Sequence, residues 1–144
     1  MAKSSDITKR IYTVYAIRCT ENSKVYIGST SNLQERIYSH FNDLRAGRKP
    51  KTSNVHGYRT GDSWQADYNK YGMDAFEVYV LQEGISHYDR LRIEGEWIAK
   101  YDSANPKYGY NASSMQGKPV FEIRPGIPPA MVYREHLLND IVKK

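Results

Sequence analysis

Arg36 and His40 stand four residues apart in a segment whose apolar residues fall at Leu33, Ile37, Phe41 and Leu44. On a helix the two polar side chains stack on one face beside that apolar row. They are of the types that hold anions and move protons. Glu94 lies three residues after Leu91 and four before Ile98, which places a carboxylate within an apolar stripe rather than opposite it. A carboxylate turned toward a core needs a cation, hydrogen-bond donors or a metal ion. From spacing alone a buried ion pair, for instance with Arg36, carries equal weight. Glu96 falls off the stripe and is expected in solvent.

These side chains need a scaffold, and the sequence outlines one. Ile11 to Cys19 and Lys24 to Ser29 are rich in β-branched and aromatic residues around the turn segment Thr20 to Ser23, predicting a β-hairpin. A helix is expected over Ser31 to Gly47, capped by Ser31 with Gln34. Asp62 to Tyr71 reads as a short helix closed by Gly72, and Ala75 to Gln82 as a third strand with Phe76, Val78 and Val80 on one side. A second long helix is expected to be capped by Ser86, with Asp89 in the third position, and to run to about Asp102. Ser103 to Gln116 carries Asn105-Pro106, Gly109, Asn111 and Ser113-Ser114 and reads as loop. After a break at Pro125 to Pro129, Val132, Leu137, Leu138, Ile141 and Val142 mark an amphipathic C-terminal helix, packed on the domain or on a partner.

Length and composition narrow the class. With 144 residues, 40% of them hydrophobic and 12% aromatic, the chain suits one globular domain with a real core. No window approaches the ~18 consecutive apolar residues of a membrane span, and Met1 to Arg10 is polar where a signal peptide is apolar, so a cytoplasmic protein without membrane association is expected. The lone Cys19 excludes an internal disulfide and a structural zinc site. The net charge of +5 lies wholly in residues 1 to 50, with nine Lys/Arg and four Asp/Glu; residues 51 to 144 hold twelve of each. Arg45, Arg48, Lys49, Lys51 and Arg59 form a basic loop with no acidic residue between Arg45 and Arg59. Such a loop either attracts a polyanion, most often nucleic acid, or only solubilises the protein.

Taken in order, the residues resemble a known family. Val14-Tyr15-Ala16-Ile17, Val25-Tyr26-Ile27-Gly28-Ser29, Arg36 and His40 on the next helix, an Asn69-Lys70-Tyr71-Gly72 turn before a strand, Glu94 ahead of Trp97-Ile98, and Gly109-Tyr110-Asn111 look like the GIY-YIG nuclease domain over about residues 11 to 112. The order carries the resemblance, since each tripeptide alone is common. One departure is plain: Thr13-Val14-Tyr15 stands where the family motif begins Gly-Ile-Tyr, so the backbone proximity that a glycine permits is not inherited. Ser29 stands where some relatives have a lysine.

The resemblance implies an α/β (α+β) fold in which a small three-stranded antiparallel sheet is flanked by helices, over residues 1 to 112 with its core at 11 to 112; residues 113 to 144 are then the C-terminal tail and extra helix read from their own apolar stripe. It also implies a divalent-metal-dependent DNA endonuclease acting on double-stranded DNA, of homing, mobile-element or restriction type. A structure-selective repair nuclease, or a domain of this fold that binds nucleic acid without cutting, is the alternative. Glu94 would hold one Mg²⁺ or Mn²⁺ per active site, a hard cation that keeps several waters. Arg36 would grip the phosphate. Tyr26 would be the base, with Tyr15 beside it; a phenol of ordinary pKa about 10 needs nearby positive charge, from Arg36 or the metal, to serve near neutrality. His40, of ordinary pKa about 6.5, would relay the proton or take the base role itself. Asn111 would tie its loop to the site by hydrogen bonds, an Asx turn being its equally ordinary alternative. The basic loop would contact DNA, and either a monomer or a homodimer is compatible with the sequence.

Overall fold

A computed structural model describes residues 7–50 and 62–111. Lys51, Arg59 and the expected C-terminal helix lie outside the described residues. After a 3-10 turn at Ile7–Lys9 come β1 (Ile11–Cys19), β2 (Val25–Thr30), α1 (Leu33–Ala46), α2 (Asp62–Tyr71), a second 3-10 turn at Met73–Ala75, β3 (Phe76–Ser86) and α3 (Arg90–Tyr101). The strands form one antiparallel sheet in the order β2-β1-β3. The long aromatic and β-branched β1 takes the centre, where both of its faces are covered.

Alternation along the strands divides the core in two. Tyr15, Ile17 and Cys19 of β1, Tyr26 of β2 and Phe76 and Val78 of β3 pack against Ile37, Phe41 and Leu44 of α1 and Trp64 of α2. On the other face Tyr12, Val14, Ala16, Val25, Ile27, Tyr79 and Ile85 meet Tyr101, Ile93, Trp97 and Ile98 of α3. The sheet is therefore sandwiched, with α1 and α2 on one side and α3 on the other.

Several boundaries differ from those expected. The cap of α1 is Asn32, not Ser31: its side chain accepts from the Glu35 amide at 3.1 Å, and the Thr30 hydroxyl is bonded to both Asn32 backbone groups. Asn caps as well as Ser, and the tethered backbone moves the helix start by one residue. Gly47, in the left-handed region at φ 76, closes α1 as expected. β3 continues to Ser86 because irregular register opposite Tyr12 to Tyr15 lets its end stay paired to β1. Ser86 still accepts from the Asp89 amide at 3.2 Å, yet α3 begins only at Arg90. The inward face of α3 is Ile93, Trp97, Ile98 and Tyr101; Leu91 turns to solvent, which leaves Glu94 at the rim of the stripe rather than inside it. Glu96 is in solvent, paired with Arg92 at 2.9 Å.

The closing segment seals the outer edge of β2. Tyr110 donates its backbone N–H to the Val25 carbonyl at 2.9 Å, and Val25 donates to the Tyr108 carbonyl at 3.2 Å. Gly109 is required there, since a Cβ at this position would lie 2.3 Å from the Ser103 carbonyl oxygen.

Candidate active site

Tyr15 and Tyr26 come from adjacent strands and face α1, so their rings meet on one side of the sheet with centroids 6.2 Å apart. Gly28 makes this possible: a Cβ on it would lie 2.6 Å from the Tyr15 hydroxyl oxygen and 3.0 Å from the Tyr26 ring. His40, on the buried face of α1, places Nε2 2.8 Å from the Tyr15 hydroxyl. The phenol donates this bond when the imidazole carries its proton on Nδ1. One turn earlier, Arg36 extends from the exposed side of α1, and its charge acts on both phenols. The departure at Thr13 does not disturb this arrangement, since Thr13 lies in β1, pairs with Thr30 and has no left-handed φ.

Trp64 supplies the floor of the group. It is fully buried, stacks on the Tyr26 ring at 4.9 Å, lies 5.1 Å from the His40 ring and stacks on Tyr110 at 5.6 Å. Sequence reasoning missed it. The available signal was the spacing of Trp64, Tyr68 and Tyr71 along one helical face, which identifies an inward aromatic row but not its neighbours.

Glu94 approaches from the other side of the sheet. Ser29 points toward α3 near the end of edge strand β2, and its hydroxyl donates a short hydrogen bond to Glu94 Oε1. Among the described residues Glu94 makes no ion pair, so the Arg36–Glu94 pair that spacing alone allowed does not form. Because β2 is only an edge strand, the carboxylate's charge still reaches around it to both tyrosines.

Burial dominates the protonation states. Tyr26 is pushed up to about 12 by burial and then by the Glu94 charge, against the pull of Arg36. Tyr15 is pushed well above its ordinary value by burial and by Tyr26. The expected lowering of Tyr26 by Arg36 is present but outweighed. His40 drops to about 3, first from burial and then from repulsion by Arg36, and is neutral at neutral pH. Burial raises Glu94, opposed by the Ser29 hydroxyl, Arg90 and Arg36.

Among the described residues no group of three or more His, Cys, Asp and Glu could cage a metal ion. A single half-buried carboxylate beside a hydroxyl oxygen does fit a hard divalent cation that keeps most of its waters. Asn111 is not among the tyrosines. Its side-chain amide accepts from the Ile27 N–H at 2.9 Å and donates to the Ile27 carbonyl at 2.8 Å, replacing a strand partner on the β2 edge. Arg45, Arg48 and Lys49 are exposed at the far end of α1, nine residues or about 13 Å along the helix from Arg36 in the case of Arg45. Arg48 pairs with Asp43 at 2.9 Å and Lys49 with Asp62 at 3.3 Å, while Arg45 donates to Asn42 at 3.3 Å.

A three-stranded α+β domain that gathers two tyrosines, an arginine, a histidine and a lone glutamate around one edge strand defines a catalytic domain of nuclease type. The chain belongs to the GIY-YIG family: the family model of the GIY-YIG catalytic domain matches residues 11–111. It is similar to Intron-associated endonuclease 1 of Enterobacteria phage T4, 34% identical over 92 residues, which are 62% of this chain and 33% of that protein. The chain thus spans about a third of the length of the curated relative it matches. Two solved structures share the fold. One, the catalytic domain of intron endonuclease I-TevI in a mutant form, has a TM-score of 0.56 at 29% identity and covers 74% of this chain and 99% of its own. The other, the catalytic domain of homing endonuclease I-TevI, has a TM-score of 0.55 at 28% identity and covers 70% and 97%.

Proposed function

We propose that this chain is a divalent-metal-dependent endonuclease that hydrolyses phosphodiester bonds in double-stranded DNA, of the homing or mobile-element type. The observation that carries the reading is the convergence of the Tyr26–Tyr15–His40 group, Arg36 and Glu94 on the two sides of edge strand β2. Names of similar proteins, an intron-associated endonuclease and a homing endonuclease, support the same chemistry.

Arg36 lies where a phosphate can meet a fixed fork of N–H donors and charge. A water positioned beside Tyr26 attacks phosphorus; the bond to the leaving 3′ oxygen breaks as the new P–O bond forms. The proton of that water passes to the Tyr26 oxygen, Tyr26 hands its own to Tyr15, and Tyr15 hands its own to His40 Nε2. Low basicity suits His40 to pass the proton on rather than keep it. Glu94, with Ser29 orienting it, would hold one Mg²⁺ or Mn²⁺. Such an ion supplies charge neutralisation at the phosphate and the leaving oxygen when bound.

The test is incubation of supercoiled and linear duplex DNA with the protein and Mg²⁺, Mn²⁺ or chelator, followed by mapping of the ends. Cuts with 5′-phosphate and 3′-hydroxyl ends that require the metal are expected. Binding without cutting under every metal condition would establish a non-cleaving domain instead.

A further inference from the structure

Arg90 opens α3 four residues before Glu94, so the two lie one helical turn apart on the same side. Its guanidinium sits over the Tyr12 ring, 4.7 Å from the centroid. Nε is buried without a hydrogen-bond partner. Arg92, on the same helix, is held by Asp89 at 3.5 Å and by Glu96 at 2.9 Å. Arg90 has no carboxylate within ion-pair distance among the described residues. Two residues earlier, Tyr88 is 77% exposed, the most exposed of the large apolar side chains among the described residues, with its ring edge-on to His87 at 5.4 Å. A cation fixed by an aromatic ring, outside ion-pair distance of every described carboxylate and two residues from a solvent-facing tyrosine, has the make-up of a backbone contact with a stacking platform.

Resting on the nuclease reading, we propose that Arg90 and Tyr88 form a second DNA subsite: Arg90 holds the phosphate next to the one at Glu94, and Tyr88 stacks on the adjoining sugar or base. A helical turn of about 5.4 Å suits this division of labour, because it is of the same order as the step between neighbouring phosphates along a strand. The strand would then cross the open end of β2, with Arg36 on one side of the sheet and Arg90 on the other. Arg36 would grip the reacting phosphate and Arg90 would set the register of the strand.

The test is duplex DNA binding in chelator over a series of salt concentrations, for the wild type and for Arg90→Ala, Arg90→Lys, Arg90→Gln and Tyr88→Ala, with thermal melting of each. Arg90→Ala and Arg90→Gln should weaken binding roughly ten-fold and flatten the slope of log affinity against log salt by about 0.9. Arg90→Lys should restore the slope, and Tyr88→Ala should weaken binding with the slope unchanged. If Arg90→Gln folds and binds with the wild-type slope, or if the variants lose only melting temperature, Arg90 is a structural brace on Tyr12 and the proposal is overturned. Failure of the wild type itself to bind duplex DNA would overturn the nuclease reading as well, so the two failures are distinguishable.

Discussion

Burial lifts Tyr26 to about 12 and drops His40 to about 3, so both are uncharged at neutral pH and a proton can move through them without a standing charge in the core. In the proposed relay Tyr26 is the first member, so removing its hydroxyl would break the relay there. Tyr26→Phe should keep the fold and reduce cleavage by 10²- to 10⁴-fold, and Tyr15→Phe should cost less, as measured by single-turnover cutting. The histidine also makes stability depend on pH. Its folded pKa is depressed, so the unfolded chain binds the proton more readily and stability falls as pH drops from the ordinary 6.5 toward about 3. The slope is at most about 1.4 kcal/mol per pH unit. Urea unfolding across this range should show that decline in the wild type and a flatter profile in His40→Gln. Glu94, whose pKa is raised by burial, acts in the opposite sense in both proteins and drops out of the difference. Glu94→Gln removes a half-buried charge, so it should abolish metal-dependent cutting while DNA affinity and melting temperature stay level or rise. A lower melting temperature with retained cutting would make Glu94 a structural residue.

At the scale of elements, the site depends on an edge strand that is closed along part of its length. Val25 is covered by backbone from Tyr108 and Tyr110, and Ile27 by the side chain of Asn111, whose Oδ1 also accepts from Ser103 at 2.7 Å. Two residues further on, Ser29 faces Glu94. Asn111 therefore holds the backbone of β2 two residues before Ser29. Asn111→Ala leaves the buried Ile27 N–H and carbonyl without partners, each worth about 1–3 kcal/mol. The expected result is a clear fall in the urea midpoint with cleavage lost in proportion to folded protein. Full stability in that variant would show that another group closes the edge. The spacing of residues in α1 was legible from sequence because its face repeats over three turns; the cap was not, because Ser31 and Asn32 are equally good N-caps and only the tether from Thr30 decides between them.

Over the whole molecule, the positive charge is concentrated in the first third of the sequence, yet the structure distributes it. Arg36 is at the site, while Arg45, Arg48 and Lys49 lie at the opposite end of α1, two of them already facing carboxylates. Exposed pairs of this kind contribute little to stability and leave the cations available to an incoming polyanion. Reversing Lys49 and Lys51 to Glu should weaken binding across DNA sequences and flatten its salt dependence, as each lost phosphate contact releases fewer counterions. Unchanged affinity and slope in a filter-binding or fluorescence titration would leave the loop a solubilising surface. No helix among the described residues is long and apolar enough to cross a membrane.

The sequence by itself determined the strands of the hairpin, the helical faces and the identity of the polar residues worth watching, because periodicity and residue type are local properties. Arg36, His40 and Glu94 were visible in that way, while Tyr15 and Tyr26 stood out only through the resemblance to the GIY-YIG family. Only the tertiary structure decided that Tyr15 and not Tyr26 is bonded to His40, that Glu94 turns to Ser29 and not to Arg36, and that Trp64 lies under the tyrosines. These contacts join residues 25 and 65 positions apart, or 38 from Tyr26 to Trp64, across strands and layers whose register no local pattern encodes. The pKa shifts belong with them, since burial arises from packing both faces of β1, and that packing exists only once α1, α2 and α3 have closed on the sheet.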